Sequence, residues 1–248
     1  MPRVAPVRPE ELSALKKILA IVAGALVVLV GIGVAVWFLF LKTDPKAKPV
    51  EVATPTAETS AGAAASPDGT WKIVAGTDQA TGDDAETFVG YRVEEVLFGI
   101  NQTATGRTPD VTGSLTVSGS TVSKVSITAD LTTLTSDKDM RDNAIRDDGL
   151  QTSKFPEATF TLTTPITLSA APTLGTSVQA DAQGDLTLHG VTKPVTVSLE
   201  ARWDGTNIHV FGTLPVNFLD YDITAPSRPQ ISVEDKGAMD VNLWFGPS

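Results

Sequence analysis

Apolar and polar residues alternate with a period of two through most of the chain beyond residue 70. Gly184–Val197 (GDLTLHGVTKPVTV) shows the pattern most clearly. Leu186 and Leu188 alternate with Asp185, Thr187 and His189. After Pro194, Val195, Val197 and Leu199 alternate with Thr196, Ser198 and Glu200. A period of two puts one set of side chains on one face of a half-buried strand. His189-Gly190 interrupts the run, and glycine accepts the positive φ that a tight hairpin turn needs. The stretch predicts a β-hairpin with arms Ser177–Leu188 and Lys193–Trp203. Pro194 has no N–H to give a ladder, so it belongs at a strand's first residue or on an edge.

The same reading predicts further strands at Trp71–Val74, Val111–Val117, Thr121–Leu131, Thr159–Leu168 (interrupted by Pro165), Asn207–Leu214, Gln230–Glu234 and Ala238–Phe245. Ser118-Gly119-Ser120, Asp204-Gly205 and Asp235-Lys236-Gly237 are the turn signals between them. Phe88–Phe98 reads as a strand leading into a short helix or an irregular turn, and Pro215–Pro229 as irregular. Thr132–Pro156 is the long connection. Met140, Ala144 and Ile145 fall there at helical spacing, which predicts a short helix over one opening or side of the fold. About eight to ten strands result, and a sandwich and a closed barrel both fit them.

The first 69 residues follow a different pattern. Ile18–Leu41 is an uninterrupted apolar run of 24 residues, beyond the roughly 20 needed to span a bilayer's hydrocarbon core. Trp37 and Phe38 lie near its outer end, where aromatic residues favour the interface. The run is too long for a cleaved signal peptide's apolar region, so an uncleaved transmembrane anchor is expected. Residues 1–17 are then a cytoplasmic tail. Residues 42–69 are rich in Pro, Ala and Thr and form a disordered linker, because so little apolar surface cannot offset the entropy of folding. Residues 70–248 form the folded domain. The expected location is the cell membrane, single-pass, with the N-terminus cytoplasmic and the C-terminal domain extracytoplasmic.

Charge and composition narrow the chemistry. Residues 1–67 carry net +2 and residues 68–248 net -12. So acidic a domain is a poor partner for nucleic acid, whose phosphates need Lys and Arg. The chain has no cysteine, which excludes disulfides, a thiol nucleophile and thiolate-bound zinc. Its two histidines, His189 and His209, leave little for a histidine metal site. Asp137, Asp139 and Asp142 lack the spacing, glycine and closing glutamate of a calcium loop. No G-x-S-x-G, H-E-x-x-H or phosphate loop occurs.

Four stretches, in this order, carry a resemblance to a known family: Val111–Asp130, Arg141–Phe160 (with Arg141-Asp142 and Phe155-Pro156-x-Ala158-x-Phe160), GDLTLHGVTKPV itself, and Ile231–Gly237. Together they resemble the YceI-like domain over roughly Thr70 to the C-terminus. The resemblance implies an all-β, antiparallel, lipocalin-like barrel of about eight strands with one short helix. It also implies that a long isoprenoid chain binds along the interior.

An eight-stranded barrel has an interior wide enough for packed side chains or one small ligand. The expected inward, ligand-lining residues are Val125, Ile127, Phe160, Leu162, Leu186, Leu188, Val195, Val197, Leu199, Ile208, Val210, Val241 and Leu243. Asp130, Arg141, Asp142 and His189 are polar candidates for its mouth; His189, expected to be mostly exposed beside its turn, reads first as a turn or packing histidine. By the family comparison, Arg141-Asp142 fixes the long connection by hydrogen bonds. No catalytic residue, metal or cofactor is expected. The expected partners are an isoprenoid or similar amphiphilic lipid and, through Ile18–Leu41, the membrane. The function is then to sequester, carry or sense that lipid. A structural or stress-related surface module without bound lipid is the alternative, and an enzyme is a third reading.

Overall fold

The computed structural model describes residues 66–77, 80 and 82–248. The expected anchor Ile18–Leu41, the cytoplasmic tail and most of the linker lie outside the described residues. Among the described residues, no helix is long and apolar enough to cross a membrane.

Thirteen strands are described: β1 (Gly69–Val74), β2 (Phe88–Leu97), β3 (Ile100–Thr108), β4 (Val111–Ser118), β5 (Thr121–Asp130), β6 (Thr135–Ser136), β7 (Glu157–Leu162), β8 (Ile166–Thr167), β9 (Ser177–Leu188), β10 (Val191–Trp203), β11 (Ile208–Asn217), β12 (Ser227–Arg228) and β13 (Ile231–Pro247). Eight of them close a ring. The order β1-β4-β5-β7-β9-β10-β11-β13 returns to β1 through Trp71 opposite Pro247 and Val74 opposite Trp244. All eight pairings are antiparallel. β13 is long enough to pair with β2 through its first two-thirds and with β1 at its end. The hairpin β2–β3 and the short β6 therefore extend the wall beyond the closed ring. Closure leaves most of the ring without a free edge for another chain to join.

Local chemistry sets the turns. His189 and Gly190 have φ of 52° and 77°, the left-handed pair of a two-residue hairpin turn. Pro194 lies within β10, where only β9 is paired, since β11 joins β10 from Ser198 onward. The missing N–H therefore faces an unpaired edge, as expected.

The interior holds two adjoining apolar clusters. Trp71, Val89, Leu115, Trp203, Ile208 and Phe245 belong to one. Leu131, Ala158, Leu188, Val216, Tyr221 and Ile223 belong to the other, with Leu150 packed against it. The long connection holds one short helix, α1 (Asp139–Ala144), which continues as a π-type turn to Gly149. Met140 is exposed rather than packed.

Three expectations are corrected. Ile100–Thr108 is a full strand although its sequence (INQTATGRT) is nearly all polar. It pairs with β2 along its whole length, so the backbone ladder rather than apolar alternation holds it. Phe88–Phe98 leads into no helix: Phe98 and Gly99 both take positive φ and turn β2 directly into β3. Asp235-Lys236-Gly237 does not end a strand. The register shifts between Val233 and Gly237, so these residues form a bulge inside one continuous 17-residue β13.

Candidate functional site

The ring encloses an apolar cavity of ≈ 170 Å³. β5 and β7 contribute Val125, Ile127 and Phe160. β9 and β10 contribute Leu186, Val197 and Leu199, and β11 and β13 contribute Ile208, Val210, Val241 and Leu243. These are ten of the thirteen residues expected to face the interior. Leu188 and Val195 instead join the second apolar cluster. Leu162 ends β7 opposite Gly184 and is half-buried without lining the cavity.

One part of the wall is not hydrogen-bonded shut. β7 pairs with β9 only from Thr159–Leu162 to Gly184–Thr187. Thr163 still donates its N–H to Gln183 O, but Pro165 has no N–H to continue the ladder. β8 then pairs with the start of β5 instead. Ile166 and Leu168 therefore face Val178 and Ala180 across a slot, and all four line the cavity. Pro67, Pro172 and Thr176 complete the lining at this end.

The four polar candidates stand away from this lining. Asp130 accepts from the Thr132 hydroxyl and amide, at 2.6 and 2.8 Å, capping the turn Leu131–Thr133. Those two donors hold its carboxyl below the usual carboxylate range. Arg141 donates to Glu95 at 2.7 Å and to Asp137. Gln102 also donates to Glu95. Buried Asp142 accepts from the Ser136 amide at 2.8 Å and hydroxyl at 2.6 Å. Burial alone would lower the Arg141 pKa, but Glu95 and Asp137 outweigh it and hold it above its ordinary value. The Arg141-Asp142 pair thus fixes the long connection, on its own strand β6 and against β2.

His189 is buried rather than mostly exposed, and it has the packing role expected beside its turn. It is only 8% exposed. Its Nδ1 lies 3.0 Å from Tyr221 O, and Phe155 packs edge-on against its ring at 4.4 Å. The turn is covered by the long connection and by Tyr221, so its histidine is a packing residue at the end away from the slot.

Residues 81–245 match the YceI-like domain. The chain belongs to this family. A UPF0312 protein of Vibrio parahaemolyticus is 36% identical over 108 residues, 41% of this chain and 53% of the relative. Protein YceI of Escherichia coli O6:H1 is 41% identical over 88 residues, 33% of this chain and 38% of the relative. The chain spans about half the length or less of these curated relatives. Among solved structures, a polyisoprenoid binding domain from Saccharophagus degradans, implicated in plant cell wall breakdown, matches with a TM-score of 0.53 and 19% identity. That match covers 65% of this chain and 94% of the domain, and it is a likeness of fold. In this YceI-like barrel the signature GDLTLHGVTKPV is the β9–β10 hairpin, which supplies Leu186 and Val197 to the cavity.

Arg202 and Trp203 escaped the sequence reading. Both line the cavity, and Arg202 is the one charged residue among the lining residues. Arg202 Nε and Trp203 Nε1 are buried donors without a hydrogen-bond partner among the described residues. The signal in the sequence is an arginine set between Ala201 and Trp203 at the end of an apolar-alternating strand. Val89, Leu115 and Phe245 also line the cavity.

Proposed function

We propose that this YceI-like barrel binds one isoprenoid lipid, or a similar amphiphile, with its apolar chain along the cavity. The observation that carries the reading is a closed barrel with an apolar cavity whose lining includes a single charged residue. Each 100 Å² of tail surface removed from water contributes roughly 2.5 kcal/mol before the costs of ordering the tail. Trp203 Nε1, on the inward face of β10, offers an unpaired donor to a polar group at one end of the ligand. The polyisoprenoid binding domain of similar fold supports the choice of ligand class.

Ile18–Leu41 anchors the chain in the cell membrane in this reading, with the barrel on the extracytoplasmic side. The residues from 42 onward tether it, and the barrel sequesters, carries or senses lipid at that one membrane. The role is one of binding, with no catalytic step assigned to any residue.

Titration with a polyprenyl quinone tests it, because Trp203 lines the cavity and quinones quench indole fluorescence. Saturable quenching that is largely lost in Trp203→Phe is expected. Quenching that never saturates, or that Trp203→Phe leaves unchanged, would overturn the reading.

A further inference from the structure

As the wall stands, the cavity is too small for a long isoprenoid tail. Its ≈ 170 Å³ is close to the roughly 150 Å³ that takes one benzene, whereas drug-sized ligands fill pockets of roughly 300–1,000 Å³. Such a tail enters only where the wall gives way. A wall opens most readily where the fewest backbone hydrogen bonds cross it.

The slot between β8 and β9 is that place. β5 pairs with the passing chain at Ser126–Thr161 and again at Val122–Ile166. The passing chain is one residue longer between those pairs, so residues 162–165 bulge and β8 stays with β5. On the other side, the last bond to β9 is Thr163 N–H to Gln183 O at 3.0 Å. Asp181 and Gln179, two and four residues earlier on β9, turn their backbone groups the same way. With the β7–β9 register carried on, Pro165 would stand opposite Asp181, and it has no N–H to give. Among the described residues, no hydrogen bond joins β8 to the first residues of β9.

Each side is held to its own neighbour instead. Leu168 N–H donates to Ser120 O and Gly175 N–H to Trp203 O, each at 2.8 Å. β9 is paired with β10 along its whole length. Only apolar contact closes the slot, and the wall there is one layer thick. Ile166, Leu168 and Ala180 line the cavity and also an outer crevice, which they share with Thr167, Ser169, Gln179 and Asp181. Water in that polar crevice can satisfy the free backbone groups in either position of the strands. Parting any other pair of ring strands breaks ladder bonds, each a net contribution of roughly 0.5–1.5 kcal/mol.

We infer that β8 and β9 part at this slot to admit the apolar tail sideways into the barrel. The inference rests on the lipid-binding reading for what enters, and on the wall alone for where it enters.

Its first test needs no lipid. The chain has no cysteine, so Ala182→Cys and Ala129→Cys each supply one thiol. Both alanines line the cavity, and they are 1% and 3% exposed. Ala182 is paired only with Val197 of β10, whereas Ala129 is paired with Val111 on one side and Ala158 on the other. In the full-length native chain, N-ethylmaleimide is expected to modify position 182 at least tenfold faster than position 129. Equal rates would overturn the inference. Ala158→Cys, also buried in the cavity wall, replaces Ala129→Cys if that variant does not fold.

The second test joins the slot. Ile166→Cys with Ala180→Cys, opposite each other in the continued register, is oxidised to a disulfide. Its uptake of a polyprenyl quinone, followed by Trp203 fluorescence, is expected to be at least tenfold slower than that of the unjoined Ile166→Ala. Equally fast uptake would overturn the inference and leave the ligand reading intact. Fast modification at position 182 with no quinone uptake by either the native chain or Ile166→Ala would instead retire the ligand reading and leave the parting of the slot standing.

Discussion

His209 shows how one residue's surroundings set a pH response. It lies on the outer face of β11, stacked on Trp244 at 4.1 Å with the rings nearly parallel. Its Nε2 is 2.6 Å from Asn242 Oδ1. The segment between β1 and β2 covers the cluster: Asn242 donates to Glu86 O and Trp244 Nε1 to Asp84 O, each at 2.7 Å. Burial lowers the His209 pKa, with the Asn242 contact opposing it. The unfolded chain, whose histidine titrates near about 6.5, then takes up more protons than the folded one as pH falls below that value. This contribution to stability is present at neutral pH and is lost on acidification. The urea midpoint is therefore expected to fall between pH 7.5 and 5.5 by more in the native chain than in His209→Gln. An equal fall in both would show that His209 does not contribute. The residue scale also shows what alternation can tell. It separated inward from outward positions on the strands, but not cavity wall from packed core. Leu186 and Leu188 share a face two residues apart, and only Leu186 lines the cavity. That division depends on depth along the barrel axis, which is set by strand tilt and stagger and is not written in a period of two.

Among the elements, α1 and β2 are coupled by charge. Arg141 is 13% and Glu95 7% exposed at the side chain. A buried pair is costly to break because the remaining charge loses its partner. Arg141→Ala is expected to destabilise the barrel by about 3–5 kcal/mol, and Arg141→Met with Glu95→Leu by clearly less, both read by chemical denaturation. The same comparison separates the pair from simple packing, which both variants disturb. Gly184 sets a second constraint. A Cβ there would come within 2.4 Å of the Phe160 ring and 2.5 Å of Thr161 O. The latter is backbone and cannot swing aside, so Gly184→Ala is expected to cost about 1–3 kcal/mol, measured in the same way. Elements with apolar alternation were legible from the sequence: β1, β4, β5 and the β9–β10 hairpin lie within a residue or two of their predicted spans. β3 was not, because a polar strand held by its ladder has no such period. The bulge in β13 was read as a turn, because Asp-Lys-Gly is turn chemistry wherever the chain goes next.

At the scale of the whole molecule, the closed ring, the cavity and the slot form one device. Pro165 was visible in the sequence as an interruption. That it leaves the first half of β9 unpaired on one edge depends on where β8 goes instead, a long-range pairing that no local pattern records. If the cavity holds the lipid tail, filling it should abolish binding while the fold survives. Ala180→Trp, at the slot, is expected to cost about 1–3 kcal/mol of stability and to remove saturable uptake of a polyprenyl quinone. Unchanged uptake, with an unchanged circular dichroism spectrum, would place the lipid elsewhere. The central claim is tested most directly by native mass spectrometry of the full-length chain released from bacterial membranes, with organic extraction of what travels with it. A stoichiometric adduct of polyprenyl or quinone mass, absent from Ala180→Trp, is the predicted result. A protein that stays free of lipid after incubation with such compounds would contradict the account and leave a structural surface module in its place.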